Sequence, residues 1–239
     1  MDCKGVGTHE DAVAEPSRTG LLTLTAAAPP PEASWYVITA DNGAQIGHAS
    51  QLVTATPAGR ETVQEQQVIP QEKGSAVSRV TTRTVTTEDA AGAVRAIVQT
   101  SRTGSGLTRH EAVISPGRAV ITRQTASGKH SATVALPPTL RFDGGDALLK
   151  AWAPGRTPTL EFDALDVDGM TIDHVVIEAA APAADGPPGG YAALRKRYED
   201  GRLQSIARLT LGADRRIVAV SQPMFGTTIL VITVNQLAP

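Results

Sequence analysis

Few residues in this chain have the types and spacing that chemistry requires. Thiol catalysis needs a thiolate held within hydrogen-bond reach of an imidazole, with an acid orienting that imidazole. The single cysteine, Cys3, stands some way before the first credible strand, in a Gly/Thr-rich segment that cannot hold it against a histidine. It has no disulfide partner and reads as an exposed thiol. A lipidated cysteine is the sharper alternative, but Met1 and Asp2 precede it with no apolar stretch upstream. A serine nucleophile belongs in a Gly-x-Ser-x-Gly elbow, and Gly104-Ser105-Gly106 lacks that spacing and reads as a loop. The histidines His9, His48, His110, His130 and His174 are scattered without a zinc-type ligand pair. His110 beside Glu111, and His174 beside Asp173, fall on opposite faces of a strand and read as solvated positions. Asp163, Asp166, Asp168 and Gly169 resemble half of a calcium loop. Ala164 stands at its first position and Val175 at its twelfth, where carboxylates are required, so a β-turn is expected. The expectation is therefore a chain that is not an enzyme, with no cofactor and no metal site.

Two other groups of residues could bind rather than react. Arg195, Arg197 and Arg202, with Lys196, Arg215 and Arg216 nearby, make the C-terminal hairpins locally basic. They form either a solvated sheet face or a docking patch for an anionic partner or lipid headgroup. Leu148, Leu149 and Trp152 fall on one side of the best helix candidate, residues 143–152, which Asp146 is expected to cap. They line a ligand cavity or pack the domain shut, the commoner fate of an apolar helix face.

The elements that must position these groups are strands. The chain has 239 residues, a formal net charge of −2, and only eight aromatic residues, counted as two Trp, three Tyr and three Phe. That balance lacks the clustered basic charge and the stacking platforms of a nucleic-acid binder. Val, Ile, Leu, Ala and Thr dominate, so the core is aliphatic and β-branched residues favour strands. No run approaches the roughly 18 to 20 apolar residues of a transmembrane helix, and the start lacks the pattern of a signal peptide.

Residues 1–32, with Ala26-Ala27-Ala28-Pro29-Pro30-Pro31, read as a disordered tail, and residues 33–239 as a single antiparallel β-domain. Its opening hairpin is Trp35 to His48, turned by Asn42-Gly43, where both central residues are expected at positive φ. Further strands are expected at 51–56, 62–69, 76–87, 93–101, 110–114, 119–125 and 130–136, then at 159–164, 170–179, 191–198, 203–211, 217–221 and 227–234. Gly, Pro, Asn and Asp clusters separate them, the rhythm of an all-β meander rather than of βαβ units. Residues 191–198 have helical composition but are assigned as a strand paired with 203–211. The last strand is apolar enough to be buried on both faces, and the Pro/Gly-rich stretch Pro182 to Gly190 reads as an insertion.

Three stretches resemble the N-terminal β-domain that precedes the catalytic domain of bacterial transglutaminase-like proteins. They are the Trp35-Tyr36 strand with its Asn42-Gly43-Ala44-Gln45-Ile46-Gly47-His48 turn, the middle Pro137-Pro138, short helix and Pro158 to Asp163, and the end from Leu211 to Gly226 with its Gln222-Pro223-Met224-Phe225-Gly226 connection. The resemblance spans about residues 33–236. It implies a curved antiparallel sheet, a half-barrel of about ten or more strands around one short helix, similar to periplasmic lipoprotein and lipid carriers. It also implies a periplasmic or envelope location. Unlike that family, the chain is expected to lack a following catalytic domain. The expected function is a non-catalytic binding or accessory module of the bacterial cell envelope, with an unknown protein, peptide or lipid as partner. The alternatives are a lipid or lipoprotein carrier that holds acyl chains between sheet and helix, and a hydrolase whose site is not visible in sequence.

Overall fold

The opening hairpin forms where Asn42-Gly43 predicts it, by a different turn. The computed structural model describes residues 32–40, 42–69, 79–104, 106–181, 187–224 and 228–235. Strand β1 (Glu32–Thr39) returns as β2 (Gln45–Thr56), and β1 is already paired at Glu32, opposite Val53. The Gly43 N–H donates to the Ala40 carbonyl at 3.0 Å, the Ala40 N–H donates to the Ala44 carbonyl at 2.9 Å, and the Asn42 side chain accepts from the Ala44 N–H. Gly43 has φ of 78° while Asn42 is not in the positive-φ region. This is a three-residue loop with a glycine bulge, not the two-residue turn expected. That two-residue turn occurs near the other end of the chain, where Asp200 and Gly201, with φ of 48° and 74°, join β11 (Tyr191–Glu199) to β12 (Arg202–Leu211).

Residues 45–56 form one strand. The expected hairpin ends at His48 and the next expected strand begins at Gln51, yet no turn forms between them, and β2 is continuous. The meander proceeds through β3 (Gly59–Val68), β4 (Val80–Asp89), β5 (Val94–Thr103), β6 (Gly106–Ser115), β7 (Arg118–Thr125) and β8 (Gly128–Ala135). A second meander follows the helix α1 (Asp146–Ala151): β9 (Thr159–Asp166), β10 (Thr171–Ala180), β11, β12, β13 (Ile217–Met224) and β14 (Thr228–Asn235). Residues 191–198 are a strand despite their helical composition, because β10 and β12 hydrogen-bond to both of their edges.

The two meanders join into one antiparallel sheet because the first strand pairs with the last. The order is β8-β7-β6-β5-β4-β3-β2-β1-β14-β13-β12-β11-β10-β9. Strand β8 is one edge. The other, β9, is partly covered by residues 139–141, which hydrogen-bond to Asp163. The sheet curls, because Val167 in the β9–β10 turn packs with Val94, Ala112, Ile114, Ala119 and Ile121 of the opposite half. Irregularities of register at Ile38/Thr39, Thr87/Glu88, Arg197/Tyr198 and Thr210/Leu211 are where bulges bend the strands. The result is a nearly all-β, barrel-like open sheet with one short helix.

One face of this sheet carries the buried clusters. Its cross-strand row runs from Leu209 to Val220, through β14 to Ile38, then to Gly47, Val68 and Val80. The cap expected at Asp146 is supplied by Asp143, whose carboxylate accepts from the Gly145 and Ala147 N–H groups, so Asp146 lies inside the first turn. The tail assigned to residues 1–32 lies outside the described residues but for Glu32. So do Cys3, His9, Ser105, residues 182–186 of the Pro/Gly-rich stretch, and the β14 side chains expected to be buried on both faces.

Candidate functional site

Alternation along each strand decides which residues reach the core face. On β9 to β12 these are mostly apolar: Phe162, Val175, Ile177, Ala193, Leu209 and Leu211 form one buried cluster, and α1 closes it. Leu149 and Trp152 are 1% and 2% exposed within that cluster, and Leu148 packs against it. The Trp152 indole N–H donates to the Thr157 carbonyl at 2.6 Å, which satisfies its polar edge inside the core. The three residues read as a cavity lining or a plug thus lie together in the packed core.

Across the middle of the sheet the same face is polar, with the ion pair Arg60–Glu88 at one end of β3 and β4. Register aligns Gln51, Gln64, Thr84, Gln99 and His110 in one row over β2 to β6. A parallel row carries Gln66, Thr82, Ser101 and Thr108. Gln64 is exposed, Gln51, Thr84 and Gln99 are half-buried, and His110 is buried at 1% exposure. The row therefore descends from solvent into the closed part of the barrel. His110 was expected to be solvated. It is not, because the β9–β10 turn lies over it and brings Asp168 Oδ1 to 3.3 Å from its Nδ1, in a geometry that makes no hydrogen bond. His110 alternates with the buried Ala112 and Ile114, a period-2 signal already in the sequence.

The same turn anchors a second polar group. Asp166 accepts from the N–H groups of Asp168 and Gly169, each at 3.0 Å, which shapes the loop as the β-turn expected. Its other oxygen takes a bond from Arg197 at 3.1 Å. Arg197 also donates from Nε to Asp173 at 2.8 Å and from Nη2 to the same oxygen. Asp173 is 2% exposed, so the carboxylate end of this pair is buried while the Arg197 side chain stays partly exposed. Burial works against the Arg197 charge, but the bonds to Asp173 and the attraction of both carboxylates outweigh it and raise its pKa.

Arg195 lies two residues away on the same face and has no such support. Its register partners are Ile177 and Ala207, its Nε is buried, and no acceptor meets it among the described residues. Burial, and then the neighbouring Arg197 charge, lower its pKa. Arg202 is exposed at the start of β12, where register sets it opposite Glu199, beyond the irregularity at Arg197/Tyr198. The three arginines read from the sequence as one basic patch thus have different surroundings: Arg195 is half-buried without an acceptor for its Nε, Arg197 is held by two carboxylates, and Arg202 is exposed. Lys196, on the face opposite Arg195 and Arg197, is held by Glu178 at 2.7 Å, and this bond raises its pKa.

Among the described residues no group of three or more His, Cys, Asp or Glu side chains is arranged to hold a metal ion. No helix among them is long and apolar enough to cross a membrane. His174 meets Asp163 at 3.2 Å and Glu161 at 3.8 Å on the outer face, with about half of its own surface exposed.

No family profile matches the chain, and no curated protein matches it. A solved structure with a similar architecture is the β-barrel-like protein of the domain of unknown function DUF1849 from Brucella abortus. It is 12% identical, covers 86% of this chain and 95% of its own, and superposes with a TM-score of 0.61. At that identity the likeness is one of fold, and it makes this chain a β-barrel-like domain.

Proposed function

We propose that the chain is a non-catalytic binding module of the bacterial cell envelope, and that its ligand lies along the core-side face of β2 to β5. The observation that carries this is the row Gln51, Gln64, Thr84 and Gln99, which is polar and only partly buried where the face under α1 is filled with apolar side chains. Glutamine and threonine offer both donors and acceptors on a pleated surface, which suits a hydrogen-bonding, extended ligand such as a peptide better than a hydrocarbon chain. The helix that would line an acyl-chain cavity has its apolar residues in the core instead. The envelope location, and kinship with the domain preceding transglutaminase-like enzymes, rest on the Trp35-Tyr36 hairpin and the Pro-Met connection described above.

The test is to pan a random peptide library against the full chain and measure the enriched peptides on variants. Gln64→Lys places a charge in the row, and tenfold or greater weakening is expected, while Arg83→Ser on the opposite face leaves binding unchanged. Equal binding by Gln64→Lys would remove the central strands as the site. A discrete lipid-mass adduct in native mass spectrometry, lost on organic extraction, would turn the reading to lipid carriage.

A further inference from the structure

The acids near Arg195 are all engaged elsewhere. On β9 and β10, Asp166 and Asp173 hold Arg197, Glu178 holds Lys196, and Asp163 and Glu161 face His174. The side chains around Arg195 on its own face are Ile177, Ala193 and Ala207, each 2% exposed or less, and none offers an acceptor. A guanidinium stays charged at any physiological pH and carries five donors in a planar fork. Left among apolar neighbours with a buried and unbonded Nε, it bears a desolvation cost that a counter-charge would remove. Arg195 is only half-buried, so part of its side chain remains accessible to a ligand.

We propose that Arg195 is the anchor of an oxyanion site, taking a carboxylate or phosphate group from a ligand through side-on hydrogen bonds from Nε and Nη. The two arginines divide the work. Arg197, bound by Asp166 and Asp173, ties the β9–β10 turn to β11 and leaves its neighbour's positive charge uncompensated. The lateral partners of Arg195 are Ile177 on β10 and Ala207 on β12, neither of which carries a charge or an acceptor side chain. This site stands on β11 and needs no part of the polar row on β2 to β5, so either can fail without the other.

The experiment titrates the full chain with sodium phosphate and, separately, sodium acetate at constant ionic strength, followed by calorimetry. Saturable binding of at least one is expected, and the preferred anion tells a phosphate-bearing ligand from a carboxylate-bearing one. Arg195→Met fits the apolar surroundings and should keep the fold, checked by its circular dichroism melt, while weakening the anion at least tenfold. Arg195→Lys keeps the charge without the fork and should fall between, and Arg202→Met should bind as the native chain does. Absence of saturable binding by either anion, or equal binding by Arg195→Met, would overturn the proposal.

Discussion

Beneath α1 and across β2 to β5 the same face of one sheet is built to opposite ends. Under the helix, Trp152, Leu149, Phe162, Val175 and Ile177 are buried together, and the region is held by the removal of apolar surface from water. Over the central strands the corresponding positions are Gln64, which is exposed, and Gln66, Thr82 and Thr84, which are half-buried. There the sheet is held by its ladder, its turns and ion pairs on its surface, such as Arg60 with Glu88 at 2.7 Å and Arg83 with Glu65 at 3.1 Å. A solvent-exposed pair such as Arg83 with Glu65 is worth up to about 1 kcal/mol. The difference shows how an open barrel can be rigid at one side and receptive at the other: stability is concentrated where the helix closes the sheet, and the remaining face is left free of that duty.

The largest expected effect tests the closed region. Trp152→Ala removes a side chain that is 2% exposed and should cost about 3–5 kcal/mol in urea unfolding, the transfer term plus the cavity left behind. Peptides selected on the central strands should bind the folded variant unchanged. A loss under about 1 kcal/mol would mean that the indole is a displaceable lid, and the contrast between the two regions would collapse.

A smaller effect is expected where the two halves are tied together. Asp173→Ala leaves Arg197 with Asp166 alone and should cost about 2–3 kcal/mol, the usual magnitude for a buried hydrogen bond to a charged group. Because Arg197 also holds the β9–β10 turn, amide exchange should quicken at Val167 and Asp168 and in the covered part of β6 around His110. Unchanged exchange there would show that the turn is held by Val167 packing alone.

Strand positions and the helix were readable because turn chemistry and a period of 2 are local properties. Pro57-Ala58-Gly59, Ser115-Pro116-Gly117 and Asp200-Gly201 each mark a hairpin where the structure has one. Sequence misplaced the tight two-residue turn because Asn42-Gly43 and Asp200-Gly201 are near-equivalent as dipeptides. Which of them adopts positive φ at both residues depends on strand register, a tertiary property. The interior polar groups were hidden for a similar reason. Arg197 meets Asp173 and Asp166, residues far off in sequence, only because β9, β10 and β11 stack in one order. His110 shares its face with Ala112 and Ile114, a local signal for the inward side, but the turn that covers it comes from the opposite end of the sheet and is not written in its own strand. The alternation of Thr and Gln showed two sides to the central strands but not which side faced the core, since neither side is strongly apolar.

The smallest expected effect tests the means of stabilisation assigned to the central strands. The turn between β4 and β5 is organised by Asp89, whose carboxylate accepts from the Ala93 and Ala91 N–H groups, each at 2.9 Å, and from Arg95. The bond from Ala93, then that from Arg95, hold its pKa below the ordinary value of 3.8. With the folded value depressed, the unfolded chain binds the proton more readily. The contribution is therefore present above pH 3.8 and is lost as pH falls through the lower folded value. Asp89→Asn should lower Tm slightly at neutral pH, and the gap from the native chain should close under acid. Trp152→Ala, which removes no ionisable group, should keep its deficit across the same range. Parallel pH profiles for the two variants would mean that the turn contributes nothing electrostatic. The central strands would then depend on the backbone ladder and on whatever the closed region lends them through β1 and β14.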